Sequence, residues 1–173
     1  MRLLVTRTHM SAKPQLLPVW GAALLAVLLV ITFNTVPALI AMPYAATLRA
    51  AAANTPAAPP PLAFAIVWPL LYTALALAVF LLICYPAPGA SAYARWTACG
   101  LLLAQLILNW AWTPVYAAGQ QSGKTSTAAL LVVVMLMVTG AALVLGASVQ
   151  PVAAALVAPY AAWLVYALVL SGK

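Results

Sequence analysis

The sequence predicts an all-α fold, an integral membrane bundle of five transmembrane helices. Three observations carry this. The 173 residues are 68% hydrophobic and only 4% charged, against about 25% charged in an ordinary soluble domain, and mean hydropathy is +1.14. The seven cations, Arg2, Arg7, Lys13, Arg49, Arg95, Lys124 and Lys173, stand at intervals that leave apolar runs between them. Those runs are long enough for spanning helices, which need about 20 residues each.

Residues 1–16 form a basic, polar N-terminal tail ahead of a transmembrane domain over 17–173. The tail has the charge signature of a mitochondrial presequence as well as that of a plain flanking segment, and its shortness favours the latter. His9 has no second histidine to ligate with and reads as an exposed side chain. Pro18 suits the opening turn of a helix, and Trp20 suits the membrane interface. The first span is expected over about 20–40, with Pro37 and Pro43 at its end.

Residues 42–61 make the longest loop. Its Ala-rich 45–53 stretch predicts a short helical turn, and the prolines between Pro56 and Pro61 predict an extended path. A lid and a flexible connector both fit this composition. The second span is expected over 62–83, with Trp68 and Tyr72 on one face at i,i+4. Pro86, Pro88 and Gly89 mark the next turn.

The third span, about 93–116, holds the most informative stretch: Gln105-Leu-Ile-Leu-Asn109-Trp110-Ala-Trp112-Thr113-Pro114-Val-Tyr116. Buried amides cost free energy unless hydrogen-bonded, so lipid gives no reason to place them there. Gln105 and Asn109 are i,i+4 neighbours, and Asn109 and Trp112 are i,i+3. This polar, aromatic face looks inward, and Pro114 kinks or ends the helix. Gly119-Gln-Gln-Ser-Gly123-Lys124-Thr125 shares letters with a phosphate loop, but it is one residue short and follows no strand, so it reads as a polar turn. The fourth span, 126–145, reads as a structural wall. The fifth, 152–170, carries Tyr160, Trp163 and Ala167 along one side.

The absence of any Asp or Glu excludes carboxylate general bases, carboxylate proton relays and Mg²⁺ or Ca²⁺ sites. Cys84 and Cys99 are too few for a metal site and read as inert thiols. No metal ligand set and no cofactor is predicted. The scattered cations make no nucleic-acid patch; they suit lipid head groups or anionic ligands. Five spans put the termini on opposite sides. Arg2, Arg7, Lys13 and Arg95 fall on one side and Arg49, Lys124 and Lys173 on the other, too even a split to set orientation. No internal repeat of the inverted-transporter kind is visible.

Three segments together resemble the translocator protein family (TspO/MBR), also called tryptophan-rich sensory proteins or peripheral benzodiazepine receptors. The third-span stretch Gln105–Pro114 resembles its Q-L-x-x-N-x-x-W-x-P signature; Trp68-Pro-Leu-Leu71-Tyr72 is similar to its W-x-x-L-Y; and Ala158-Pro159-Tyr160-Ala-Ala-Trp163 is similar to its P-Y-x-x-W. The resemblance implies a five-helix bundle, commonly a homodimer, whose pocket binds porphyrins such as protoporphyrin IX and haem and aromatic drugs. Carried over position by position, it implies ligand-binding residues Trp68, Tyr72, Asn109, Trp112, Trp163 and Ala167. The sequence departs from the family pattern in the first loop, where no indole stands between Trp20 and Trp68. It departs again at the chain's end, where Tyr166 and Lys173 are one residue too far apart for the sterol-type pattern.

The residues themselves support the same kind of site. Indoles and phenols with a polar hook suit a flat ligand, and Arg49 or Lys124 suits its carboxylates. Helix packing and interfacial belts are the competing explanation of the aromatics. Three functions follow: a receptor, sensor or transporter for tetrapyrroles; a light- and oxygen-dependent porphyrin-degrading activity using Trp68 and Trp163; and a structural or regulatory subunit. Partners are expected to be the bilayer, a porphyrin-type ligand and a second copy through the third span, where Ala94-x-x-x-Ala98 and Gly100-x-x-x-Ala104 give close-packing spacings. A bacterial inner membrane and a mitochondrial or other organelle membrane both suit the chain.

Overall fold

The computed structural model describes residues 17–55 and 58–171. The basic tail with Arg2, Arg7, His9 and Lys13, and the terminal Lys173, lie outside the described residues. Among the described residues there are six α-helices and one 3₁₀ turn: α1 (Val19–Ala41), the 3₁₀ turn Met42–Tyr44, α2 (Ala45–Ala53), α3 (Pro61–Cys84), α4 (Ala92–Ser122), α5 (Ser126–Val149) and α6 (Pro151–Ser171). Among the described residues there is no strand. The five long helices are long and apolar enough to cross a membrane, and α2 is the short helix over the Ala-rich stretch. The protein is an integral, multi-pass membrane protein.

The spans pack around a closed circuit. The most extensive pairing is α4 with α5; α5 also packs on α6, α6 on α3 and α3 on α1, and α4 closes the circuit against α1 and α3. Lipid tails are as apolar as leucine, so burial of aliphatic surface drives little of this association. The exposed side chains accordingly include Leu24, Val27, Leu28, Ile31, Leu70, Ile107, Met137 and Val144. Inside are small residues that let backbones approach, Ala76, Ala78, Ala98 and Ala117, all fully buried. A polar clasp adds to this: Asn34 Nδ2 donates to Val30 O on its own helix (2.9 Å) and to Thr73 Oγ1 on α3 (3.2 Å).

α4 runs six residues beyond the expected end at 116, reaching Ser122. Pro114 sits inside it; a proline removes one backbone bond, and neighbouring helices make that tolerable in a membrane. The stop lies further on. Gly123 takes the left-handed conformation (φ 70°), and Lys124 N–H donates back to Gly119 C=O (3.1 Å), closing a Schellman-type cap. A Cβ on Gly119 would stand 2.9 Å from the Lys124 carbonyl oxygen. The glycines that resembled a phosphate loop are therefore the end of a helix. At 31 residues α4 is about 46 Å long, well over the roughly 30 Å hydrocarbon core.

The two small-residue spacings on α4 separate in the structure. Ala98 is fully buried in the chain's own core, so the Ala94–Ala98 pair is not available to a second copy. Gly100 and Ala104 face outward.

Candidate functional site

Four helices converge on a cleft lined by Trp68 of α3, Asn109 and Trp112 of α4, Val132 and Met135 of α5, and Trp163, Leu164 and Ala167 of α6. Each aromatic reaches it for a local reason. Trp68 and Tyr72 are one turn apart on α3 and stack (centroids 5.3 Å, interplanar 29°). Trp163 meets Trp68 edge to face at 5.9 Å, and Phe64 meets Trp163 in the same way at 5.7 Å. Trp112 stacks on Tyr116, one turn along α4, at 4.7 Å. Offset and edge-to-face pairs of this kind are favourable beyond their area burial.

Beneath the indoles lies a buried polar network. Tyr72 O–H donates to Asn109 Oδ1 (2.5 Å), Asn109 Nδ2 donates to Tyr160 Oη (2.9 Å), and Gln105 Nε2 donates to the same oxygen (2.5 Å). Tyr160 and Gln105 are fully buried, and Asn109 is 4% exposed. This answers the question raised by amides in an apolar helix: they join α3, α4 and α6 where aliphatic contacts give little net attraction. Gln105 Oε1 has no partner among the described residues.

Of the six residues singled out from the sequence, Trp68, Asn109, Trp112, Trp163 and Ala167 line the cleft. Tyr72 stands behind Trp68 and holds Asn109. Tyr160 and Gln105 were visible as polar residues, but their pairing spans 55 residues and leaves no local trace. Val132 and Met135 carry no signal, because α5 is apolar on every side. Trp112 Nε1 is buried with no acceptor among the described residues, so the cleft wall holds an unused donor near the Asn109 amide.

The cleft is narrow, with a void of about 20 Å³. That is room for about one water. A site for a drug-sized ligand needs about 300–1,000 Å³, so a ligand of that size would fit here only if the indoles rotated or the helices parted.

The model of the TspO/MBR family matches residues 25–173. The chain belongs to the TspO/MBR family. Among curated TspO/MBR relatives, the human translocator protein is 40% identical over 75 residues, which is 42% of this chain and 41% of that protein. The sheep translocator protein is 34% identical over 113 residues (65% and 64%), and the pig protein 33% over 117 residues (65% and 64%). The matched stretches thus span less than two thirds of each relative. The family match covers α1 from residue 25 onward, the other four spans and every cleft residue.

Proposed function

We propose that this TspO/MBR protein is a membrane receptor or carrier for planar aromatic ligands of the porphyrin class, protoporphyrin IX and haem among them. The observation that carries the reading is the meeting of Trp68, Trp112 and Trp163 around Asn109. Three indoles give flat, polarisable walls, and the Asn109 amide and the free Trp112 N–H give hydrogen-bonding hooks. The relatives' name, translocator protein, accords with a carrier. Arg49 and Lys124 are exposed at the end where the α2 segment and the α4–α5 turn lie, and there they suit a ligand's carboxylates. A second copy is proposed to dock on the outward Gly100–Ala104 face of α4.

The test is a titration of purified protein with protoporphyrin IX in detergent and darkness, read by tryptophan fluorescence. Saturable quenching that weakens in Trp163→Phe supports the reading. Non-saturable quenching, equal in both proteins, contradicts it.

A second reading has its own observation. Tyr72, Trp68 and Trp163 make one run of ring contacts, and such rings can be oxidised in turn when a bound porphyrin is excited in the presence of oxygen. Light-dependent loss of the porphyrin absorption band, with new products and slowed by Trp163→Phe, supports it. Loss of the band at the same rate without protein removes it.

A further inference from the structure

Arg95 is placed at a cost on three counts. It sits in the first turn of α4, where the helix dipole is positive and a cation is unfavourable. Its Nε is buried and has no hydrogen-bond partner among the described residues. The chain contains no Asp or Glu to neutralise it. An unpaired buried N–H on a charged group is among the more expensive features a fold can carry.

An external anion that meets the Nη side of the guanidinium offsets the dipole and the missing countercharge, and the surroundings say where it comes from. The guanidinium lies 4.8 Å over the Trp96 ring. Trp96 is 54% exposed and Tyr93 is 81% exposed. Exposed Trp and Tyr at the mouth of a spanning helix lie at head-group level, which is the depth of lipid phosphates. The guanidinium fork matches a phosphate diester with two parallel hydrogen bonds, and the positive end of α4 adds to the attraction.

We propose that Arg95, with Trp96 and Tyr93, is a binding site for the phosphate of a membrane glycerophospholipid. The site lies at the end of the bundle away from the cleft and does not rest on the porphyrin reading.

The test is native mass spectrometry of the full chain, delipidated in neutral detergent and then offered phosphatidylglycerol. The wild type is expected to retain one lipid that Arg95→Gln retains about tenfold less. Arg95→Lys should keep the charge, lose the fork and fall between them. Lys124→Gln, changed at the other end, should retain the lipid as the wild type does. The melting temperature in detergent should be unchanged in Arg95→Gln, which shows that the variant is folded. Equal retention by wild type and Arg95→Gln overturns the proposal. So does an equal loss in Lys124→Gln, which marks a general charge effect. Displacement of the lipid by millimolar inorganic phosphate overturns the lipid assignment.

Discussion

The two ends of the bundle are built on different principles. At one end, between α3 and α4 and between α5 and α6, the backbone is stitched. Ala87 N–H donates to Val149 C=O (2.8 Å), and Gln150 Nε2 donates to Tyr85 C=O (2.5 Å). A single residue, Gln150, separates α5 from α6, and Leu82, Cys84, Cys99, Val149 and Ala153 are buried beneath it. At the other end the connection from α1 to α3 is the longest, aromatic rings line the cleft between the helices, and a buried indole N–H is left without an acceptor among the described residues. Between the ends sits the Tyr72–Asn109–Tyr160–Gln105 network. The stitched end fixes helix spacing, and the network transmits that spacing to the middle of the bundle. Beyond it the helices are held by rings that can turn. A narrow cleft that must open for a ligand belongs at such an end.

Removing the divide should have the largest effect. Asn109→Leu leaves the Tyr72 hydroxyl and the Tyr160 oxygen each short of a buried partner. A loss of about 2–3 kcal/mol of stability is expected, seen as a lower melting temperature in detergent, together with loss of protoporphyrin quenching. Unchanged melting would mean that the network does not hold α3, α4 and α6 together.

Trp163→Phe comes next and should act on the ligand rather than on the fold. Losing one indole contact should cost about 1 kcal/mol, a several-fold weaker Kd in the dark titration, with little change in melting. If melting falls and affinity holds, Trp163 is a packing residue.

Gln150→Ala sharpens the comparison from the other side. It removes the side-chain bond to Tyr85 and should lower stability by about 1 kcal/mol while leaving porphyrin affinity unchanged. An affinity loss equal to that of Trp163→Phe would mean that the ends are not independent. Trp20→Phe should do least. Trp20 is 74% exposed on α1, and neither melting nor quenching affinity should move.

Much of this was legible in the sequence because lipid is an unforgiving solvent. Uncharged apolar runs have to be spans, so the five helices could be placed by length alone. Buried amides need partners, so Gln105 and Asn109, with Trp112 beside them, mark an inward face; the resemblance to the TspO/MBR motifs adds Trp68 and Trp163 to it. The Ala-rich stretch became α2 because alanine has the best helix propensity. What stayed hidden depends on contacts far apart in sequence or on patterns that uniform composition erases. Asn34 and Thr73 meet across 39 residues, and Gln105 and Tyr160 across 55. α5 contributes Val132 and Met135 to the cleft from a helix whose faces read alike. The end of α4 was misplaced because Pro114 is the louder signal, whereas Gly123, six residues after the expected end, is the actual stop. That the cleft is narrow follows from side-chain packing, which no residue pattern encodes.

Hydrogen exchange with and without protoporphyrin IX tests the division of the bundle most directly. Backbone amides that open locally exchange, and ligand binding slows those it orders. The prediction is slowed exchange in α2, in residues 58–64 and in the last turns of α4 up to Lys124, with none in residues 85–91 or around Gln150. Protection confined to residues 85–91 and Gln150, or spread equally over both ends, would contradict a ligand site at the aromatic end.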